Sequence, residues 1–162
     1  GLDRLLTYRQ VLQEAGLPVD DTLIAECGDT MGDGYEAVYQ LLCRPDRPTA
    51  LLVINDLLGM AAIRAAADLG LSIPRDVSIG TFDDIPFASY SVPRLTTISG
   101  QTEQSGRDAV RLLLTRLNAP DGPPQSIIAR SQLIIRESTG PVPTSMAATV
   151  PCQSSGLAAE ER

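Results

Sequence analysis

Histidine is absent from the 162-residue sequence. With it go the commonest general base and metal ligand, and every Ser-His or Cys-His pairing. Positive charge is scarce and scattered: 13 Lys and Arg residues stand against 20 Asp and Glu, a formal charge of −7. No basic stripe gathers them, so this stretch is not built to hold nucleic acid by neutralising phosphates. Only three cysteines occur, Cys27, Cys43 and Cys152. Their odd number and their spacing suit neither a disulfide framework nor a zinc site and read as a reduced compartment, the cytoplasm. No apolar run is long enough to cross a bilayer. The opening "GLDRLLTYRQ" reads as an amphipathic helix lacking the charged head and cleavage site of a secretory leader. Neither a metal nor a cofactor is expected.

What is present is an ordinary globular composition, 43% hydrophobic, in a length that suits one domain. Apolar spacing predicts helices over residues 2–15, 35–43, 56–69 and 103–117. Gly16 and Gly70 stand as stops for the first and third. Short apolar runs predict strands over 23–27, 49–54 and 77–82, an extended stretch over 96–99, and one or two strands within 126–136. The run at 49–54 is apolar at five consecutive positions, which suits a central parallel strand covered on both faces. Helix and strand alternate through residue 82, the mark of an α/β fold with a doubly wound parallel sheet and helices on both faces. Val110, Leu113, Leu114 and Leu117 are expected to face inward, and residues 141–162 read as a disordered tail.

The chemistry concentrates at strand-to-helix seams. Asn55 and Asp56 follow one strand, and Asp83 and Asp84 follow the next. Helix capping accounts for one polar residue at the first seam, and an Asx turn before Pro86 accounts for the second seam. In an open parallel sheet, however, all strand carboxyl ends share one edge, and ligands bind in the crevice there. Asn55 and Asp83 are therefore expected to form a binding pair: an amide offers donors and an acceptor, and a carboxylate accepts twice. No nucleophile and base accompany them. "GDTMGDG" (28–34) matches neither a dinucleotide fingerprint, a phosphate loop nor a calcium loop and reads as a turn. The helix after Asn55 is apolar nearly all round, so it needs cover on two sides. Close packing between subunits through its small residues is one reading, and burial within the same chain is the other. On the first reading, Ala62→Glu gives monomers.

The stretch "RPTALLVINDLLGMAAIRAAADLGLSIPRDVSIGTFDDIPFASYSVPRLTTI", followed by "IIRESTG", resembles the effector-binding domain of the lactose/galactose repressor (LacI/GalR) family of bacterial regulators, from about residue 2 to residue 140. The resemblance implies the fold of periplasmic sugar-binding proteins, two doubly wound subdomains with the effector between them. It implies that residues 1–94 and 126–140 belong to the C-terminal subdomain, and that 95–118 are elements of the other. It implies effector contacts from Arg4 in "RLLTY", Asn55 in "IND" and Asp83 in "FDD", with Thr30, Thr102 and Ser105 along the pocket wall. Thr30 stands where the family often carries a stacking aromatic, which disfavours a purine effector. The family's dimerisation surface falls on the 57–69 helix and the segment near 87–92, implying Leu58, Ala61, Ala62, Ala65, Phe87 and Tyr90 at a homodimer interface. DNA contact is placed in an N-terminal helix-turn-helix outside these residues, and the helix at 103–117 would normally pack on the other subdomain; left uncovered, it would drive association.

Three functions are thus in play: the effector-sensing part of a cytoplasmic repressor for a sugar-like ligand, the sugar-binding protein of a transporter, and a sugar-phosphate isomerase on a similar sheet. The "RESTG" ending favours the regulator over the transporter protein, and the missing histidine disfavours the enzyme.

Overall fold

Gly16 and Gly70 both take positive φ, 68° and 69°, a backbone region that glycine enters without steric cost. Each ends a helix where the sequence placed a stop. The computed structural model describes residues 2–144. Along the chain run α1 (Leu2–Glu14), a 3-10 turn (Asp21–Leu23), α2 (Met31–Cys43), β1 (Ala50–Leu52), α3 (Asp56–Asp68), β2 (Ser78–Phe82), a second 3-10 turn (Pro86–Ser89), β3 (Thr96–Ser99), α4 (Thr102–Asn118) and β4 (Gln132–Ile134).

The four strands form one sheet in the order β1-β2-β3-β4. β1 and β3 lie parallel to β2, in register Leu51 with Ile79 and Thr81 with Thr97, and β4 runs antiparallel to β3. The expected α/β sheet is present, mixed at one edge. Side chains alternate across it: Ile79 and Thr81 of β2 are buried beneath α3, and Phe82 lies on the opposite face, where Arg4 of α1 covers its ring at 4.2 Å.

Several expectations are corrected. The strand expected at 23–27 is not formed. Asp20 accepts from the Thr22 amide at 2.9 Å and caps a 3-10 turn, while Arg44 donates to the Thr22 carbonyl at 2.6 Å. Both bonds pin the chain at Thr22, and residues 24–30 form no strand. β1 is therefore an edge strand rather than a central one, and Leu52 and Ile54 stay exposed. Its ladder still extends beyond Ala50–Leu52, since Thr49 accepts from Ser78 and Val53 donates to Gly80, one residue short of the expected end at Ile54.

α2 begins four residues before the expected start. Thr30 caps it, accepting from the Asp33 amide at 3.1 Å and donating back to the Asp33 carboxylate at 2.6 Å. The second half of "GDTMGDG" is thus the first helical turn. Gly34 is there for packing, because a Cβ would meet Leu58 at 2.6 Å.

α3 lies between α2 and the sheet. Leu58, Ala61, Ala62 and Ala65, expected at a partner surface, are buried in the chain's own core with Tyr35, Val38, Leu42 and Ile79. They have no surface to offer another subunit. The small side chains serve close approach on two sides, and Gly59 marks the nearest point: a Cβ there would meet Thr81 at 2.4 Å. Phe87 and Tyr90 are exposed.

The segment 95–118 divides. Leu95 is buried in the core and β3 is built into the sheet, whereas α4 has no buried residue. Val110, Leu113, Leu114 and Leu117 do not face inward as their spacing suggested; they are 55–68% exposed, the uncovered face that the resemblance implied. Of the region 126–136, only Gln132–Ile134 is strand. Residues 141–144 lie beside Pro74, Arg75 and Asp76, and the rest of the expected disordered tail, with Cys152, lies outside the described residues. No helix among the described residues is long and apolar enough to cross a membrane.

Candidate functional site

β1 and β2 run parallel, so their carboxyl ends meet at one rim, and Asn55 and Asp83 stand just beyond those ends. Arg4 joins them. Its guanidinium lies 3.5 Å from the Asp83 carboxylate, donates to the Ile54 carbonyl next to Asn55, and rests on the Phe82 ring. Three residues far apart in sequence therefore share one rim. Asn55 also caps α3, its Oδ1 accepting from the Leu58 amide at 2.8 Å. Its Nδ2 has no partner among the described residues, so one end of the amide serves the fold while the other offers donors outward.

The turn that carries Asp83 is unusual. Asp83 and Asp84 both take positive φ, 105° and 55°, in succession and without glycine. Such conformations cost on the order of 1 kcal/mol or more per residue and persist only where the surroundings impose them. Here the amides of three successive residues are held: Asp83 donates to the Ile98 carbonyl at 2.9 Å, Asp84 to the Thr97 hydroxyl at 3.3 Å, and Ile85 to the Asp56 carboxylate at 2.8 Å.

Asp56 is the residue that sequence reasoning missed. It is fully buried, and its carboxylate accepts from the Thr81 hydroxyl, the Thr97 hydroxyl (2.7 Å) and the Ile85 amide. As the first residue of α3 it also lies at the positive end of the helix dipole. The signal was the second polar residue at a seam where capping explained only one.

Beside Asp83 opens a recess of about 820 Å³, lined in part by Asp83, Asp84, Ser99, Gln101, Thr102 and Arg107. Thr102 stands on the expected wall. Ser105 lies one turn further along α4, bonded to the Gly100 carbonyl at 3.4 Å, and is not among the lining residues. Thr30 is engaged in capping α2 and is likewise not part of the lining. The recess is polar, and its carboxylates have cationic partners: Asp83 with Arg4, Asp84 with Arg136 at 2.6 Å, and Glu103 with Arg107. Hydroxyls, amides and paired charges around an open hollow suit a hydroxyl-rich, uncharged ligand. Among the described residues, no group of three His, Cys, Asp or Glu side chains is gathered as metal ligands.

Residues 2–139 match the periplasmic binding protein-like domain family. The chain belongs to that family. Its relatives there are transcriptional regulators of the LacI family. It is 33% identical over 138 residues to the HTH-type transcriptional regulator CelR of Thermobifida fusca, matching 85% of this chain and 41% of CelR. It is 35% identical over 136 residues to the HTH-type transcriptional repressor PurR of Yersinia pestis, matching 84% of this chain and 40% of PurR. Among solved structures, that of a CelR–cellobiose complex superposes with a TM-score of 0.77 at 34% identity, over 85% of this chain and 42% of that one. The chain thus spans about two fifths of the length of these curated relatives.

Replacing Asp56 by Ala takes the acceptor from the Thr97 hydroxyl and the Ile85 amide and leaves the Thr81 hydroxyl only the Thr96 carbonyl at 3.3 Å, which predicts a loss of about 3 kcal/mol in urea unfolding. Asp83→Asn, at the exposed rim, is expected to change stability by less than about 1 kcal/mol. Equal losses for the two would show that Asp56 does not anchor the rim.

Proposed function

We propose that this chain is the effector-sensing part of a LacI-type transcriptional repressor, and that its effector is a small neutral sugar held by Arg4, Asn55 and Asp83. The observation that supports this reading is the Arg4–Asp83 ion pair at the rim where Asn55 also stands, with Asp83 lining the polar recess beside it. The relatives that match the same residues are regulators, and the CelR structure is a cellobiose complex. In such a mechanism the ligand binds one arrangement of the protein better than another and so shifts their populations; DNA would be read by a segment other than residues 1–162. Binding rather than catalysis is the proposed role, in the cytoplasm where a repressor works. The transporter reading has no regulator-independent support, since these relatives are named as regulators.

The proposed oligomer is a homodimer formed through exposed apolar groups next to α3. Phe87 and Tyr90 protrude from the 3-10 turn and its end, with Leu57 exposed on the adjoining helix. The exposed face of α4 is proposed to pack on sequence that the longer relatives carry beyond the matched region.

Titration calorimetry with cellobiose and a panel of neutral mono- and disaccharides tests the effector reading. The expected result is saturable heat from at least one sugar, with affinity falling about tenfold or more in Asp83→Asn, as loss of a charge-assisted hydrogen bond implies. Unchanged affinity in that variant would remove Asp83 from the site. Sedimentation tests the interface: Tyr90→Glu is expected to give folded monomers, whereas Ala62→Glu, which puts a charge into the core, is expected to unfold the chain. A folded, monomeric Ala62→Glu would place that helix face at a subunit boundary after all.

A further inference from the structure

The three amide bonds that hold the turn after β2 are unequal. Those at Asp83 (2.9 Å) and Ile85 (2.8 Å) are short, while the one at Asp84, to the Thr97 hydroxyl, is 3.3 Å. The peptide between Asp83 and Asp84 is therefore the one least secured by backbone bonding, and it sits between two residues of positive φ. A rotation of that peptide changes ψ of Asp83 and φ of Asp84, so it would relieve the Asp84 angle and shift the backbone that carries the Asp83 carboxylate, whose 3.5 Å contact with Arg4 is already long.

Something else must hold it, and Arg136 is placed to do so. Its Nη2 donates to the Asp84 carboxylate at 2.6 Å and its Nη1 to the Leu95 carbonyl at 2.8 Å, while its own amide donates to the Thr96 hydroxyl at 2.9 Å. The guanidinium thus bridges the start of β3 and the turn in a fixed fork, a geometry that a lysine cannot reproduce. Both side chains of the ion pair are mostly shielded, 14% and 21% exposed, so solvent and salt weaken it less than an open surface pair. Arg136 lies just past β4 and is followed by Glu137, which is clamped to Arg94 by two further bonds.

We propose that Arg136, acting through Asp84, is the positioning residue that fixes the Asp83 carboxylate at the rim of the recess. The effector site is on this view oriented from behind, by a residue that does not line it, and the end of β4 is mechanically tied to the ligand-facing acid. The inference rests on the reading of Asp83 as a ligand group, and its test needs no ligand.

The readout is the Arg4 Nε–Hε cross-peak in nitrogen-edited spectra of the ligand-free full chain, with its displacement in Asp83→Asn as the reference for a lost contact. Asp84→Asn keeps a residue tolerant of positive φ but removes the ion pair, and Arg136→Gln removes it from the other side. Both are expected to move the Arg4 cross-peak in the direction of the Asp83→Asn reference, although neither touches Arg4. The double variant should move it no further than either single one, as residues acting in one chain of contacts do. Arg136→Lys, which keeps the charge and loses the fork, should move it as well and serves if Arg136→Gln fails to fold. A cross-peak that stays at its wild-type position in Asp84→Asn and in the folded Arg136 variant, or displacements that simply add in the double variant, would overturn the proposal. Sugar titration that fails while the cross-peak moves counts against the effector reading alone.

Discussion

A single buried carboxylate holds together the parts that make the rim. Asp56 opens α3, yet its three donors come from β2, from β3 and from the turn that follows β2. An isolated carboxylate in a protein interior is strongly disfavoured. Three hydrogen bonds and the amino end of a helix offset that cost, and they do so only if all four elements stand in one arrangement. Relative placement of helix, strands and turn is therefore not left to apolar packing alone. Packing supplies much of the cohesion, and Asp56 supplies the register.

From this anchor the functional geometry follows in order. Between the Asp83 amide bonded to the Ile98 carbonyl and the Ile85 amide bonded to Asp56, the two residues after β2 take positive φ. That contorted turn throws the Asp83 side chain toward Arg4 while Asp84 faces Arg136. Adjacent acids thus take different cationic partners, although both line the recess. Asn55 divides its side chain, with the carbonyl oxygen capping α3 and the amide nitrogen without a partner among the described residues. The fold's own polar requirements place the groups proposed to bind.

Much of this was legible from the residues. Strand ends in a parallel sheet share an edge by geometry, so the sequence alone places Asn55 and Asp83 at one rim, and the family resemblance added Arg4. What could not be read depends on partners distant in sequence. Thr81, Ile85 and Thr97 lie 25, 29 and 41 residues from Asp56, and nothing local marks two threonines and an amide as its donors. Glycine was ambiguous for a related reason: "GDTMGDG" has a turn's composition, but Gly34 is there because Leu58 approaches from another helix. The alanines of α3 were correctly read as needing cover on two sides. Their cover is α2 and the sheet rather than a second subunit, since small side chains admit a neighbouring helix of the same chain equally well. Even β1 misled, because an apolar run reports how much a strand could bury and not whether a neighbour arrives to bury it.

The most direct measurement of whether this rim is the binding site is a residue-resolved chemical-shift map of the full chain titrated with a neutral sugar that it binds. Perturbations gathered on Arg4, Asn55, Asp83 and Thr102, with the Asp56 cluster changing little, are the expected result. Saturable shifts centred elsewhere, with those four residues unmoved, would contradict it.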